Sequence, residues 1–175
     1  GVTVGLLSSA VLAVDGNAQP MQTAATTLTM AGARVRPVEL VNTPDWVDQS
    51  AFLRMLTAGI RVDMMGYVAT LGLPVKTPEE LLAYNETQPQ RRIPFGQQLL
   101  KTLLQLAGDT RPADLPALAS RLTQQAASIL DAAFARTGAQ VLVSLDEMHS
   151  PYYATAGYPA VTVPLGTRAR AGTAT

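Results

Sequence analysis

The stretch Asp146-Glu147-Met148-His149-Ser150 sets the only histidine of the chain between two carboxylates and a hydroxyl. It follows the apolar run Gln140-Val141-Leu142-Val143-Ser144-Leu145, and Tyr152 and Tyr153 come just after it. An imidazole moves protons near neutral pH, and a carboxylate beside it can orient it. Loops that leave strand ends often line the sites of α/β proteins. Asp146, His149, Tyr152 and Tyr153 are therefore the candidate ligand contacts. The competing reading is a surface loop whose histidine is satisfied locally. A metal site from Asp146, Glu147 and His149 is poorly supported, because one histidine without further ligands at fixed spacing does not define one. A Ser-His-Asp arrangement of Ser144, His149 and Asp146 is set aside. Residues so close in sequence rarely meet in that geometry, and there is no Gly-x-Ser-x-Gly elbow.

Other chemistries find less support. With no cysteine there is no disulfide and no thiolate ligand. Gly1 to Gly16 has neither G-x-G-x-x-G nor G-K-[ST], so no nucleotide cofactor is expected. Thirteen basic and 13 acidic residues balance to a net charge of zero, and Arg91-Arg92 is too short for a nucleic-acid stripe. No apolar run reaches the ~18 residues of a membrane span. The first fourteen residues are apolar but lack a basic lead, so they read as strand and loop rather than signal peptide. The compartment stays open, with the cytoplasm favoured. Charged residues make up 15% against the usual ~25%, which fits a chain that buries surface against a further part of the same protein.

Elements that would position the candidate loop can be read along the chain. Val2 to Leu7 is an apolar, β-branched run expected to form a buried strand. Asp15-Gly16-Asn17 is loop chemistry. Pro20 opens a helix that runs to about Ala31 and stops at Gly32. Val35 to Leu40 returns as a strand, placed towards an edge because Pro37 cannot donate to a ladder. Strand, helix, strand in this order is a parallel βαβ unit. Thr43-Pro44-Asp45 starts a second helix, with Trp46, Val47, Phe52, Leu53, Leu56 and Ile60 on its apolar face and Gly59 and Gly66 weakening its continuation. Thr77-Pro78-Glu79-Glu80 is a capping box for a short helix ending near Asn85. Gln88 to Gly96 reads as a loop, Gln97 to Leu106 as a helix, and Gly108 to Pro112 as a loop. Pro116 to Arg136 is the strongest helix, with Leu122, Ala126, Ile129, Leu130, Ala133 and Phe134 on one stripe and Gly138 as its cap. Gln140 to Leu145 is another buried strand, Asp146 to Ala156 a loop, and Val161-Thr162-Val163 a final short strand. Thr167 to Thr175 reads as a frayed end. The pattern is α/β with more helix than strand, with no internal repeat and no linker that would divide it.

Three stretches in this order resemble the amidase signature family. Gly157-Tyr158-Pro159-Ala160-Val161-Thr162-Val163-Pro164-Leu165-Gly166 is similar to a run that in the family follows a strand like Ala139 to Ser144. Thr77 to Asn85 followed by Pro94-Phe95-Gly96-Gln97 resembles the Asn … Phe-Gly-Gln stretch of the branch that includes peptide amidases. Gly1-Val2-Thr3-Val4-Gly5, the helix after it and Gly32-Ala33-Arg34-Val35 resemble the βαβ unit beyond the signature region. Together they span nearly the whole of the 175 residues.

The resemblance implies an α/β/α sandwich around a mixed sheet and cofactor-free hydrolysis of a small-molecule or peptide amide. The family's centre is a Lys and two Ser on a Gly- and Ser-rich loop, where one Ser attacks and backbone N–H groups hold the oxyanion. No such loop is found here. Lys76, Lys101 and the tandem Ser8-Ser9 do not match it, so no catalytic residue is carried over. Residues 1–175 then read as a single segment of an amidase domain, with the triad upstream of Gly1, final strands beyond Gly166, and the remainder of the amidase chain as partner. In the family the stretch matching Asp146 to Tyr153 tends to line the acyl pocket. The rival is a non-catalytic α/β domain, a pseudoenzyme or a subunit that completes another chain. Open sheet edges predict poor stability alone, or a homo-oligomer.

Overall fold

The computed structural model describes residues 1–7, 17–41, 49–106 and 111–166. The Ser8-Ser9 pair, the Asp15-Gly16 turn, the Thr43-Pro44-Asp45 helix start with Trp46 and Val47, most of the Gly108 loop and the tail from Thr167 lie outside the described residues. The chain divides into two compact units, Gly1–Thr43 with Thr123–Thr175, and Pro44–Leu122.

The first unit is built on a three-stranded parallel sheet. Strand β1 (Thr3–Leu7) is central, with β2 (Arg34–Val38) and β3 (Val141–Val143) on either side. Thr3 pairs with Arg34 and Leu7 with Val38 in one ladder; Val4 pairs with Val141 and Leu6 with Val143 in the other. All five residues of β1 are buried, as an apolar run flanked on both sides must be. Helix α1 (Ala18–Met30) makes the parallel crossover from β1 to β2. It begins two residues before Pro20, so the proline sits inside the first turn, where its missing N–H costs no bond. Its end is a Schellman turn: Gly32, at φ 87°, donates to the Thr29 carbonyl and Ala33 to that of Leu28. Pro37 stands in β2 on the outer side of this sheet, where the sequence places it. One apolar cluster gathers Leu6, Met21 and Leu145, and a second gathers Leu7, Val38 and Ala133.

Helix α7 (Leu115–Thr137) is preceded by a 3-10 turn, Pro112–Asp114. Of its expected stripe, Leu122, Ala126, Ile129, Leu130 and Ala133 are buried. Gly138 closes it at φ 65° and donates to the Phe134 carbonyl. Strand β3 is shorter than the sequence suggests and only partly buried, with Val141 exposed. Two further expectations are corrected. Asp146 to Ala156 is not a plain loop, because α8 (Ser150–Ala156) fills its second half. Pro151 lies in the first turn of α8, and Gly157 ends it in the left-handed region. Val161-Thr162-Val163 forms no strand; Tyr158 to Gly166 has no regular structure, and Val161 and Val163 are exposed. Prolines at both ends limit the ladder that this stretch can offer.

In the second unit, α2 (Gln49–Gly59) runs through a π-helical turn, Ile60–Met64, into α3 (Met65–Thr70). The helix therefore passes Gly59 and Gly66 and stops only where Gly72 turns left-handed at φ 64°. Met65, Val68 and Val75 form the buried cluster, with Leu81 and Tyr84 against it. Helix α4 (Pro78–Glu86) has the expected Thr77 cap: the Glu80 N–H donates to Thr77 Oγ1 at 3.1 Å, while Glu80 Oε2 reaches back one residue further than a capping box requires and accepts from the Lys76 N–H. Thr77→Ala removes this acceptor and is expected to cost about 1 kcal/mol, read as a lower denaturant midpoint at unchanged slope. The Gln88 to Gly96 stretch contains a one-turn helix, α5 (Pro89–Arg92), where a loop was expected. Helix α6 (Gln98–Leu106) follows and packs against α2.

Candidate functional site

The candidate loop starts where β3 ends. Its C-terminal end lies on the same side as those of β1 and β2, since the three strands are parallel. Ligands of open α/β sheets collect on that side. The chain leaves Val143, passes Ser144 and Leu145, and reverses at Asp146, whose φ of 49° is left-handed. Asp tolerates that region better than most residues. The reversal is closed by the Met148 N–H donating to the Leu145 carbonyl and the Ser150 N–H to that of Glu147.

This turn folds His149 back onto Ser144. The imidazole is 5% exposed, and its Nδ1 lies 2.6 Å from Ser144 Oγ. The sequence argues against a Ser144-His149-Asp146 triad; the left-handed turn at Asp146 brings the first two together, while Asp146 itself is exposed. Burial alone holds the imidazole below its ordinary pKa of 6.5, so it is neutral at pH 7. Tyr152, one turn into α8, has its ring centroid 6.1 Å from that of His149. Tyr153 is half-buried, and its carbonyl accepts the Tyr158 N–H at 2.9 Å. Asp146 is exposed. The structure thus brings His149 and Tyr152 together with Ser144, a residue that the sequence reading considered only as an improbable nucleophile. Asn17, buried just before α1, donates through Nδ2 to Met148 Sδ at 3.6 Å, so the residue that leads into α1 touches the same loop. Among the described residues, no three His, Asp or Glu side chains are grouped as a metal would need. No helix among them is long and apolar enough to cross a membrane.

The titration of His149 carries a sign that can be checked. Its folded pKa is depressed, so below about pH 6.5 the unfolded chain takes up the proton first. The contribution to stability is complete above that pH and is lost as pH falls towards the folded value. The melting temperature is expected to drop as pH falls from neutral to below the ordinary imidazole value, and His149→Gln to flatten that slope. An unchanged slope in H149Q would place the titrating group elsewhere.

The two other resembling stretches have anchoring roles. Tyr158 donates its hydroxyl to Asp131 on α7 and packs against Phe134, ring centroids 6.4 Å apart. The hydrogen bond to Asp131, chiefly, raises the Tyr158 pKa. The Tyr158–Pro159 bond is trans. In the second unit, Gln97 ties α4 to the start of α6. Its Nε2 donates to the Leu82 carbonyl and to Glu86, and its Oε1 accepts from Asn85 at 3.1 Å. Lys101 pairs with the same Glu86. Asn85 and Gln97, which the sequence singles out as a motif, therefore bond directly to each other. Phe95, between them in the chain, is fully exposed.

Comparison with solved structures agrees with this architecture. The crystal structure of a peptide amidase in complex with the competitive inhibitor chymostatin matches 82% of this chain at 31% identity, with a TM-score of 0.61. The native peptide amidase of Stenotrophomonas maltophilia matches the same share at 28% identity and a TM-score of 0.63. An amidase family protein from Bacillus anthracis matches 90% of the chain at 23% identity and 0.67, a likeness of fold. The chain spans only 29–30% of the length of these structures. No protein-family model and no curated protein matches it. The chain thus has a helix-rich α/β architecture with a small parallel sheet, matching part of the amidase fold. Over that part, the neighbours support the amidase signature family.

Proposed function

We propose that the chain is a segment of an amidase signature hydrolase that cleaves a carboxylic amide to an acid and ammonia or an amine. The observation that carries this reading is the likeness to a peptide amidase, 31% identical over 82% of this chain with a TM-score of 0.61. The resembling stretches lie in family order, and their residues Asn85, Gln97 and Tyr158 make specific contacts. In this reading the Lys-Ser-Ser centre belongs to the remainder of the amidase chain. Asp146, His149, Tyr152 and Tyr153 border the acyl pocket, and a peptide amide is the favoured substrate class. The likeness to peptide amidases supports that choice of substrate.

The test labels the purified 175-residue chain and the complete gene product with a serine-reactive fluorophosphonate, read by intact mass. The complete product is expected to carry one adduct and to release ammonia from C-terminally amidated peptides; the chain alone is expected to carry none. An adduct on the chain alone would show that it holds its own nucleophile. A complete product that releases no ammonia or amine from any amide would sink the hydrolase reading and favour the non-catalytic α/β domain.

A further inference from the structure

We propose that the Asn … Phe-Gly-Gln stretch is a clamp that holds Phe95 out as an anchor for the remainder of the amidase chain. The occupant rests on the amidase reading above; the clamp does not. Ile93-Pro94-Phe95-Gly96 closes as a β-turn, with the Gly96 N–H donating to the Ile93 carbonyl at 2.8 Å. Pro94 presets the first corner, Phe95 stands at the second, and Gly96 leaves the turn in the left-handed region at φ 78°. The turn is tied to α4 on both sides. Before it, Arg92 donates through Nη1 to the Tyr84 carbonyl at 2.6 Å and to Thr87 Oγ1. The same guanidinium lies over the Tyr84 ring, 3.7 Å from its centre. After the turn, Gln97 bonds to Asn85, to Glu86 and to the Leu82 carbonyl.

Phe95 itself is fully exposed. A single exposed apolar residue is ordinary on a protein surface. A phenyl ring at the apex of a turn pinned from both flanks is different, because the loop is already ordered before a partner arrives. Aromatic rings held in this way dominate binding at interfaces, where they fill apolar pockets. Leu99, four residues on, is 73% exposed and adds apolar surface at the start of α6. The other two residues of the Phe-Gly-Gln run have roles inside the chain, Gly96 in the turn and Gln97 in the ties to α4. The role of Phe95 therefore lies with a partner. The chain spans 29% of the peptide amidase that it matches, so most of such a protein lies outside the matched part. A remainder joined to the same chain is present at high effective concentration beside every copy of the anchor, ahead of any second molecule.

Hydroxyl-radical footprinting read by mass spectrometry tests the anchor in the 175-residue chain and in the complete gene product. Phe95 is expected to react freely in the chain alone and to be protected in the complete product. Phe95→Ala is expected to leave the melting temperature of the chain alone unchanged and to lower that of the complete product. Gln97→Ala is expected to speed amide exchange at Gly96 in the chain alone, with the amides of α3 unaltered as the sign that the fold is kept. Equal labelling of Phe95 in the two proteins, or a complete product indifferent to F95A, overturns the anchor. Unchanged exchange at Gly96 in Q97A overturns the clamp. Protection in the chain alone that grows with concentration makes a second copy the occupant and overturns the remainder in that role, as does a gene that encodes no further chain. None of these readouts requires turnover, whereas the hydrolase reading stands or falls on ammonia or amine release.

Discussion

Gly5→Val is expected to lower stability by about 3 kcal/mol, a fall of roughly 6–12 °C in melting temperature for a chain of this size. Gly5 is the middle residue of β1, the central strand, and faces Arg36 on one side and Leu142 on the other. Glycine weakens a strand interior unless something comes too close for a side chain. Here a Cβ would stand 2.7 Å from Val38 Cγ2, 2.8 Å from Leu142 Cδ2 and 3.3 Å from the Ala139 Cβ. Val38 is 2% exposed and stiff at χ1, and the Ala139 methyl has no rotamer to change, so the neighbours cannot move away cheaply. Gly5→Ala should show the same sign at smaller size, because alanine also stiffens the unfolded chain by about 0.4–1 kcal/mol. Thermal unfolding of the two variants checks the order; a G5V chain as stable as the wild type would mean that the sheet is looser than drawn.

Leu7→Ala is the second large effect, expected between about 2 and 5 kcal/mol. Leu7 ends β1 and packs with Val38 and Ala133, with Leu40 and Leu142 alongside. Val38, Ala133 and Leu142 come from β2, α7 and β3, and Leu40 lies just past β2, so truncation opens a cavity where four elements meet. The internal control is Leu99→Ala on the exposed side of α6, expected to stay within roughly 0.5 kcal/mol of wild type. Equal effects at the two positions would contradict the assigned core.

Much of the scaffold was legible because it follows local rules. The unbroken apolar run of β1, the helix that follows and the return at Arg34 specify a parallel unit. Thr77 with Glu80, and Gly32 and Gly138, announce helix ends through groups within a few residues of each other. Where tertiary contacts decide, the sequence was ambiguous. Gly59 and Gly66 weaken the helix on paper, and the chain runs on past both through a π turn at Ile60–Met64. Asp146 to Ala156 reads as a loop between two expected strands, yet with Pro151 in its first turn and Gly157 to end it the second half closes as a helix. Val161 and Val163 have the β-branched character of a strand, but a strand is defined by its partner, and none of the described strands pairs with them. The candidate site shows the same division. His149 was visible as a lone imidazole after a strand; its bond to Ser144 depends on one left-handed residue, Asp146, and no spacing rule encodes that angle.

The exposed run between Pro159 and Pro164 also bears on how the chain behaves in concentrated solution. Its four residues, Ala160 to Val163, are the only ones there with an N–H to give, and alternate ones point to opposite edges. An approaching strand therefore meets two donors per edge before a proline interrupts it. Such a contact is adhesive but short. Association through it should track concentration and reverse on dilution, rather than ripen into the long ladders that make fibrils permanent.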